Sequence, residues 1–170
     1  MTILTPYRIV TDELDHSVLR HAFSAFPSGV VAVAAQVDGA PVGMAASSFT
    51  SLSLSPPLVS FSIAKESSTW PMLRRAARLG VSVLADHQDR VCRQLAGPAA
   101  ERFRGLSLHR TDDAALVLED AVVAFETSIY NEIPAGDHTL VLLRLHSVGQ
   151  SDAEGSPLVF HRSTFGRIAG

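Results

Sequence analysis

Hydrophobic positions near the start of the chain recur at helical spacing: Leu14, Val18, Leu19, Ala22, Phe23 and Phe26. That spacing predicts an amphipathic helix. Asp12, Glu13 and Asp15 suit the positive end of its dipole, and Pro27 and Gly29 stop it. The pattern then changes period. GVVAVAAQV over 29–37 is rich in β-branched residues, Asp38-Gly39 is a hairpin turn pair, and a return strand begins near Val42. The next stretch, GMAASSFTSLSLSPPLV over 43–59, crowds serines and a threonine between apolar side chains. It predicts a strand entering a hydroxyl-rich turn whose free N–H and O–H groups grip a polar ligand, anchored by Met44, Phe49, Leu52 and Leu54. A third strand is expected over 58–64.

Downstream, Ser67-Ser68-Thr69 caps a short helix with Pro71 in its first turn and Met72, Leu73, Ala76 and Leu79 on its apolar side. Gly80 is read as the end of that helix, followed by a strand over 81–85. A further helix over 88–96 carries Val91, Cys92 and Leu95 as its buried stripe, with Gly97-Pro98 as the stop. Residues 99–115 read as loop with one short strand over 106–109. Strands over 121–132, 139–148 and 158–161 close the chain. SDAEGS, 151–156, is expected to be a flexible loop, and residues 1–11 a tail. Roughly seven strands against three short helices, without βα alternation, predict a mainly β (α+β) fold. A small antiparallel barrel with flanking helices fits, because closure removes exposed strand edges.

Composition bounds the function classes. With 170 residues, 46% hydrophobic and 18% charged, the chain suits one globular domain over 1–170. A net charge of −3 and no basic stripe argue against a nucleic-acid partner. The longest apolar run, 30–35, is too short to cross a bilayer, so no membrane role is expected. No secretory leader is evident at the N-terminus, and the single cysteine, Cys92, fits a reducing cytoplasm. No metal site is expected, since no histidines fall at ligand spacing.

Candidate chemistry is sparse. Neither GxGxxG nor GxxxxGK[ST] is present, so a phosphate must be held another way. Ser67-Ser68-Thr69, with Lys65 just upstream, reads either as an ordinary helix cap or as an anion cradle. His138, in the AGDHT turn, is placed where ligand can reach it; His161 closes a strand, and His16 and His21 read as surface. No GxSxG exists, and Asp112-Asp113 and Glu119-Asp120 read as solvated turns. The residues alone lead to a compact β domain with a hydroxyl-rich, anion-compatible groove and no nucleophile.

The ordered segments FPSGVVAV (26–33), PVGMAASSFTSLSLSPPLVSFSIAKESSTWP (41–71), GVSVLADHQ (80–88), ERFRG (101–105), AGDHTL (135–140) and PLVFHRSTFGRI (157–168) resemble the short-chain flavin reductases. These are FMN-binding split barrels, reductase components of two-component flavin-dependent monooxygenases. The resemblance covers the chain beyond residue 16. It implies a homodimeric, cytoplasmic split barrel that reduces FAD or FMN with NADH or NADPH and passes reduced flavin to a partner monooxygenase. A non-catalytic flavin carrier of the same fold is the alternative. Hydride transfer between the two cofactors would explain an enzyme without a nucleophile.

By the same resemblance, Ala46, Ser47 and Ser48 line the isoalloxazine, while Ser53, Lys65, Ser67, Ser68 and Thr69 hold the ribityl and phosphate end. His138 positions the nicotinamide, with Pro27, Ser28, Gly29, His161 and Arg162 around the same pocket. Four positions depart from the family pattern. Ser82 stands where Asn is common, Ser55 where an acid often precedes the double proline, Ala45 where Thr is common, and Ser163 where a glycine often follows the basic residue.

Overall fold

The computed structural model describes residues 14–150 and 155–168. The expected tail over 1–11 and most of the expected loop over 151–156 lie outside them. In chain order the elements are α1 (His16–Ser24), β1 (Ser28–Gly29), β2 (Val31–Val37), β3 (Ala40–Ala46), β4 (Thr50–Leu54) and β5 (Pro57–Ala64). Next come α2 (Trp70–Leu73), β6 (Leu79–Val83), α3 (Asp89–Leu95), a 3-10 turn (Ala99–Glu101), β7 (Leu108–Arg110) and β8 (Leu116–Leu118). The chain closes with β9 (Val123–Ala135), β10 (His138–Gln150), β11 (Leu158–His161) and β12 (Thr164–Arg167).

Seven strands form one antiparallel sheet in the order β3-β2-β6-β9-β10-β5-β4. Laid flat, its edge strands would stand about 29 Å apart. Yet β3 runs into β4 through residues 47–49, a linker reaching about 14 Å at full extension. The sheet must therefore curl until both edges meet the linker, giving a barrel split at that point. Ser48 fastens the seam: its Oγ accepts from Ser62 N at 2.9 Å and donates to Ser62 O at 3.1 Å. The short sheet β1-β11-β12 and the pair β7-β8 lie outside this barrel.

The apolar run in β2 is continuous because both of its faces are covered. Val31, Val33 and Ala35 point into the barrel with Met44, Val59, Phe61, Val81, Val141 and Leu143. Val30 and Ala32 point outward, beneath Cys92 and Leu95 of α3, Leu118 of β8 and Leu158 of β11. α2 plugs the interior with Trp70 and Leu73, and Trp70 meets Phe61 edge-on at 5.6 Å.

Several expectations change. Gly80 lies inside β6 and ends no helix, because a Cβ there would run into the Leu116 carbonyl. α2 is correspondingly short, and Ala76 and Leu79 lie beyond it. Half of the expected serine turn is the strand β4, and β8 and β12 are additional strands. The loop over 99–115 holds a 3-10 turn besides its short strand, which is β7, beginning two residues later than expected. A bulge shifts the β4–β5 register between Ser51 and Ser53, leaving Leu52 and Leu54 exposed, so only Met44 and Phe49 anchor the stretch.

Candidate functional site

The seam of the barrel is also where the cavities gather. A cavity of about 400 Å³ is lined by Val30, Ala45, Ala46 and Ser47 on one side and by Cys92, Arg93 and Ala96 of α3 on another. Phe160, Ser163 and Phe165 of the C-terminal hairpin complete it. A second compartment of about 340 Å³ shares Ser47, Phe160 and Ser163 with the first and extends beneath α1, to Arg20, Phe23, Ser24, Phe26 and Ser28. Both fall in the size range of small-molecule sites, roughly 300–1,000 Å³. Flat aliphatic and aromatic walls with a few hydroxyls at the rim suit planar heteroaromatic rings.

One charged group stands in the wall of the first compartment. The Arg93 guanidinium lies 4.8 Å from the centroid of Phe165, with Asp89 at 3.9 Å one turn earlier. Cys92 beside it is buried, and burial pushes its thiol up, so it is a protonated lining group at neutral pH.

A third cavity, about 190 Å³, lies against the turn after β5 and is lined by Ile63, Ala64, Lys65, Ser67, Trp70, Pro71, Arg74, Glu132 and Thr139. Glu132 accepts from Trp70 Nε1 at 2.7 Å and pairs with Arg74 at 2.7 Å. Arg74 is thereby neutralised, whereas Lys65 makes no ion pair among the described residues. Ser67 Oγ accepts from Thr69 N at 3.3 Å and Trp70 N at 3.2 Å, so Ser67, not Thr69, caps α2.

His138 opens β10, directly opposite Ala64, and the Lys65 N–H donates to the Asp137 carbonyl at 2.9 Å. The imidazole Nδ1 lies 2.7 Å from Asp137 Oδ1. An ionised carboxylate only accepts, so Nδ1 carries the proton and Nε2 is left for another partner. That bond holds the exposed Asp137 carboxyl below the usual carboxylate range, and His16, on the first turn of α1, adds a smaller part. α1 carries Arg20 and Phe23 over the second compartment.

The expected site residues divide accordingly. Ala46 and Ser47 line the first compartment, Ser28 lines the second, and Lys65 and Ser67 line the third. Gly29 pairs with Val159 beneath the second compartment, while Pro27 and Ser68 are exposed beside their groups. The Arg162 N–H donates to the Ser24 carbonyl at 2.9 Å, tying the C-terminal hairpin to α1, and His161 is exposed on that hairpin. Ser48 spends its hydroxyl on the Ser62 backbone. Thr69 is buried and its Oγ1 accepts from Arg102 at 2.7 Å, so it supports its turn from behind. Ser53 sits opposite Leu58, six residues along β5 from Ala64, or about 20 Å; within this chain it is not brought to Lys65. Ser82, at the position that departs from Asn, is buried, accepts from Leu118 N at 2.9 Å and lines none of the three cavities.

Arg20, Arg93, Phe160, Ser163 and Phe165 went unrecognised in the linear reading. The one available signal is the i, i+3 spacing of Arg93 and Ala96, which puts both on one face of α3.

The sequence and fold have counterparts. Residues 23–169 match the flavin reductase like domain, and the chain belongs to that family. It is 36% identical over 162 residues to a flavin reductase of Pseudomonas putida, covering 95% of each chain. The NADH:FAD oxidoreductase SgcE6 of Streptomyces globisporus C-1027, solved with NAD and FAD fragments, superposes with a TM-score of 0.87 at 30% identity, over 95% of this chain and 98% of that one. The styrene monooxygenase flavin reductase SMOB of Pseudomonas putida S12 superposes with a TM-score of 0.81 at 27% identity, over 89% and 97%.

Proposed function

We propose that this chain is an NAD(P)H:flavin oxidoreductase that supplies reduced FAD or FMN to a separate flavin-dependent monooxygenase. The observation that carries the reading is the pair of adjoining compartments sharing Ser47, Phe160 and Ser163. Two flat rings can meet face to face where the compartments adjoin, and contact at about 3–3.5 Å is what direct transfer needs. When bound, the nicotinamide and flavin supply the redox chemistry between them; the chain supplies position and electrostatics.

The first compartment fits the isoalloxazine, with Ala46 and Ser47 at its polar edge and Arg93 as the neighbouring cation. Lys65, Ser67 and Ser68 fit the phosphate end, where Lys65 has no competing partner among the described residues. The nicotinamide takes the compartment beneath α1, next to Ser28, and His138, with Nε2 left for another partner, is the group that orients it. The working form is a homodimer in the cytoplasm, a reading supported by the apolar side chains left open at Phe26, Leu54 and Tyr130. Among the described residues no helix is long and apolar enough to cross a membrane.

The deciding assay crosses NADH and NADPH with FAD and FMN and follows the nicotinamide absorbance band. At least one pairing is expected to consume nicotinamide with turnover. Absence of oxidation in all four pairings would overturn the activity.

A further inference from the structure

The ERFRG segment was singled out in the sequence, yet none of its residues lines the three compartments described above. Its arginine nevertheless reaches both sides of the site. Arg102 Nε donates to the Gly97 carbonyl at 2.9 Å, just past the C-terminal end of α3, whose Cys92, Arg93 and Ala96 wall the first compartment. Arg102 Nη1 donates to the Gly43 carbonyl of β3 at 2.9 Å and to Thr69 Oγ1 at 2.7 Å. The neighbouring Phe103 ring presses on Gly43 so closely that a Cβ there would stand 2.6 Å from its Cζ.

These three attachments are unequal in what they support. β3 is already held along its length by β2, from Val31↔Ala46 to Val37↔Ala40. α3 is buried through Cys92 and Leu95. The Ser67–Thr69 turn is in no strand: Ser67 caps α2 and its N–H donates to Ala64 O at 3.0 Å, and the Lys65 N–H ties the turn to Asp137 O. The Thr69 carbonyl accepts from Met72 N and Leu73 N. These bonds link the turn to β5, β10 and α2 but not to β3 or α3. A charged donor to the Thr69 hydroxyl, fixed also to β3 and to the end of α3, is therefore the bond that links that turn to the two elements walling the ring compartment.

We propose that Arg102 is a positioning residue for the phosphate end of the flavin: acting through Thr69, it holds the Lys65–Ser67 subsite at a set distance from the ring compartment. The inference rests on the assignment of the phosphate to that subsite. It separates Arg102 from a general packing role, because a packing residue would weaken all flavins alike, whereas this one acts on phosphorylated flavins.

The test compares FMN with riboflavin, which has the same ring and ribityl chain without the phosphate. Dissociation constants for both are measured by flavin fluorescence for the wild type, R102M, R102K and K65A. R102M is expected to weaken FMN about tenfold while riboflavin changes less than about threefold, as for loss of one charge-assisted bond. R102K keeps the charge but cannot bridge three acceptors, and is expected to fall between wild type and R102M. K65A, which removes the proposed direct phosphate contact, is expected to show the same FMN-selective loss. If K65A leaves the FMN-to-riboflavin ratio unchanged, the phosphate assignment is wrong and the inference falls with it. If K65A shifts that ratio but the Arg102 variants weaken both flavins equally, or neither, the assignment stands and the role of Arg102 is overturned. Should R102M fail to fold, R102K carries the comparison.

Discussion

Ser82 shows how a hydroxyl at a ligand-associated position can be wholly structural. Its Oγ accepts the Leu118 N–H at 2.9 Å in a buried setting, joining β6 to β8. Ser82→Ala leaves that amide unpaired, which costs about 1–3 kcal/mol; urea unfolding should register the loss while flavin affinity stays at the wild-type value. His138 is the opposite case, a partly open side chain with Nδ1 committed to Asp137 and Nε2 uncommitted. His138→Ala is expected to raise the nicotinamide KM about fivefold, the scale of one hydrogen bond, and to change flavin affinity less. Steady-state kinetics varying each cosubstrate checks this; a larger effect on flavin would assign His138 to the neighbouring Lys65 subsite. Ser47, Lys65 and Ser67 stood out as candidates because they lie in hydroxyl-rich or anion-compatible runs, whereas Ala46 entered only through the family resemblance. Arg93 carries only its helical spacing to Ala96, and Phe165 carries no signal, since it is the packing of α3 and the last hairpin against the seam that makes them one wall with Ser163.

At the scale of elements, the Asp38-Gly39 hairpin, the helix over Asp89–Leu95 and the long β9–β10 pair were readable because turn chemistry or sustained periodicity marks them. β4 was not: four of its five residues alternate serine and leucine, and the bulge at Leu52 decides which side faces out. Gly80 misled for a physical reason. A glycine after an apolar helical stretch has the local look of a helix end, whereas here it makes room for the Leu116 backbone against β6. Gly80→Ala should destabilise the fold by about 3 kcal/mol, the upper range for overpacking, since backbone rather than a movable side chain opposes the new methyl; the urea midpoint reports it. α1 depends on Asp15, whose carboxylate accepts from Ser17 N at 2.7 Å and Val18 N at 2.8 Å. The Val18 bond is the main cause that holds its pKa below the ordinary value. A depressed folded pKa means the cap is in force above the unfolded pKa and is lost as pH falls through the folded one. The protection of the α1 amides, measured by hydrogen exchange relative to the unstructured rate at each pH, should therefore fall below about pH 4 and be insensitive to pH-linked uncapping near neutrality.

The whole molecule exposes more apolar surface than its own folding requires. Leu54 is 97% exposed, Phe26 80%, Phe23 69% and Leu14 60%, while Tyr130, Ile133 and Val148 lie open on the long β9–β10 ribbon. α1 buries none of its residues, yet it supplies Phe23 to the second compartment. A helix that forms part of a site while packing so little against its own chain is the feature that the proposed homodimer accounts for, through a second copy covering these side chains. Light scattering is accordingly expected to give about 36 kDa, twice the 18.1 kDa chain. Leu54→Asp places a charge on the most exposed of these side chains, where the isolated chain has no packing to lose. In a dimer sealed over Leu54 the charge is desolvated, so the variant should dissociate toward 18.1 kDa with its fold intact. If Leu54→Asp keeps the mass of a dimer, the contact lies elsewhere, and Phe26→Asp distinguishes the α1 face from the ribbon. A wild-type mass of one chain at micromolar concentration would leave α1 supported only by its capping and its tie to the C-terminal hairpin, and the homodimer would be wrong.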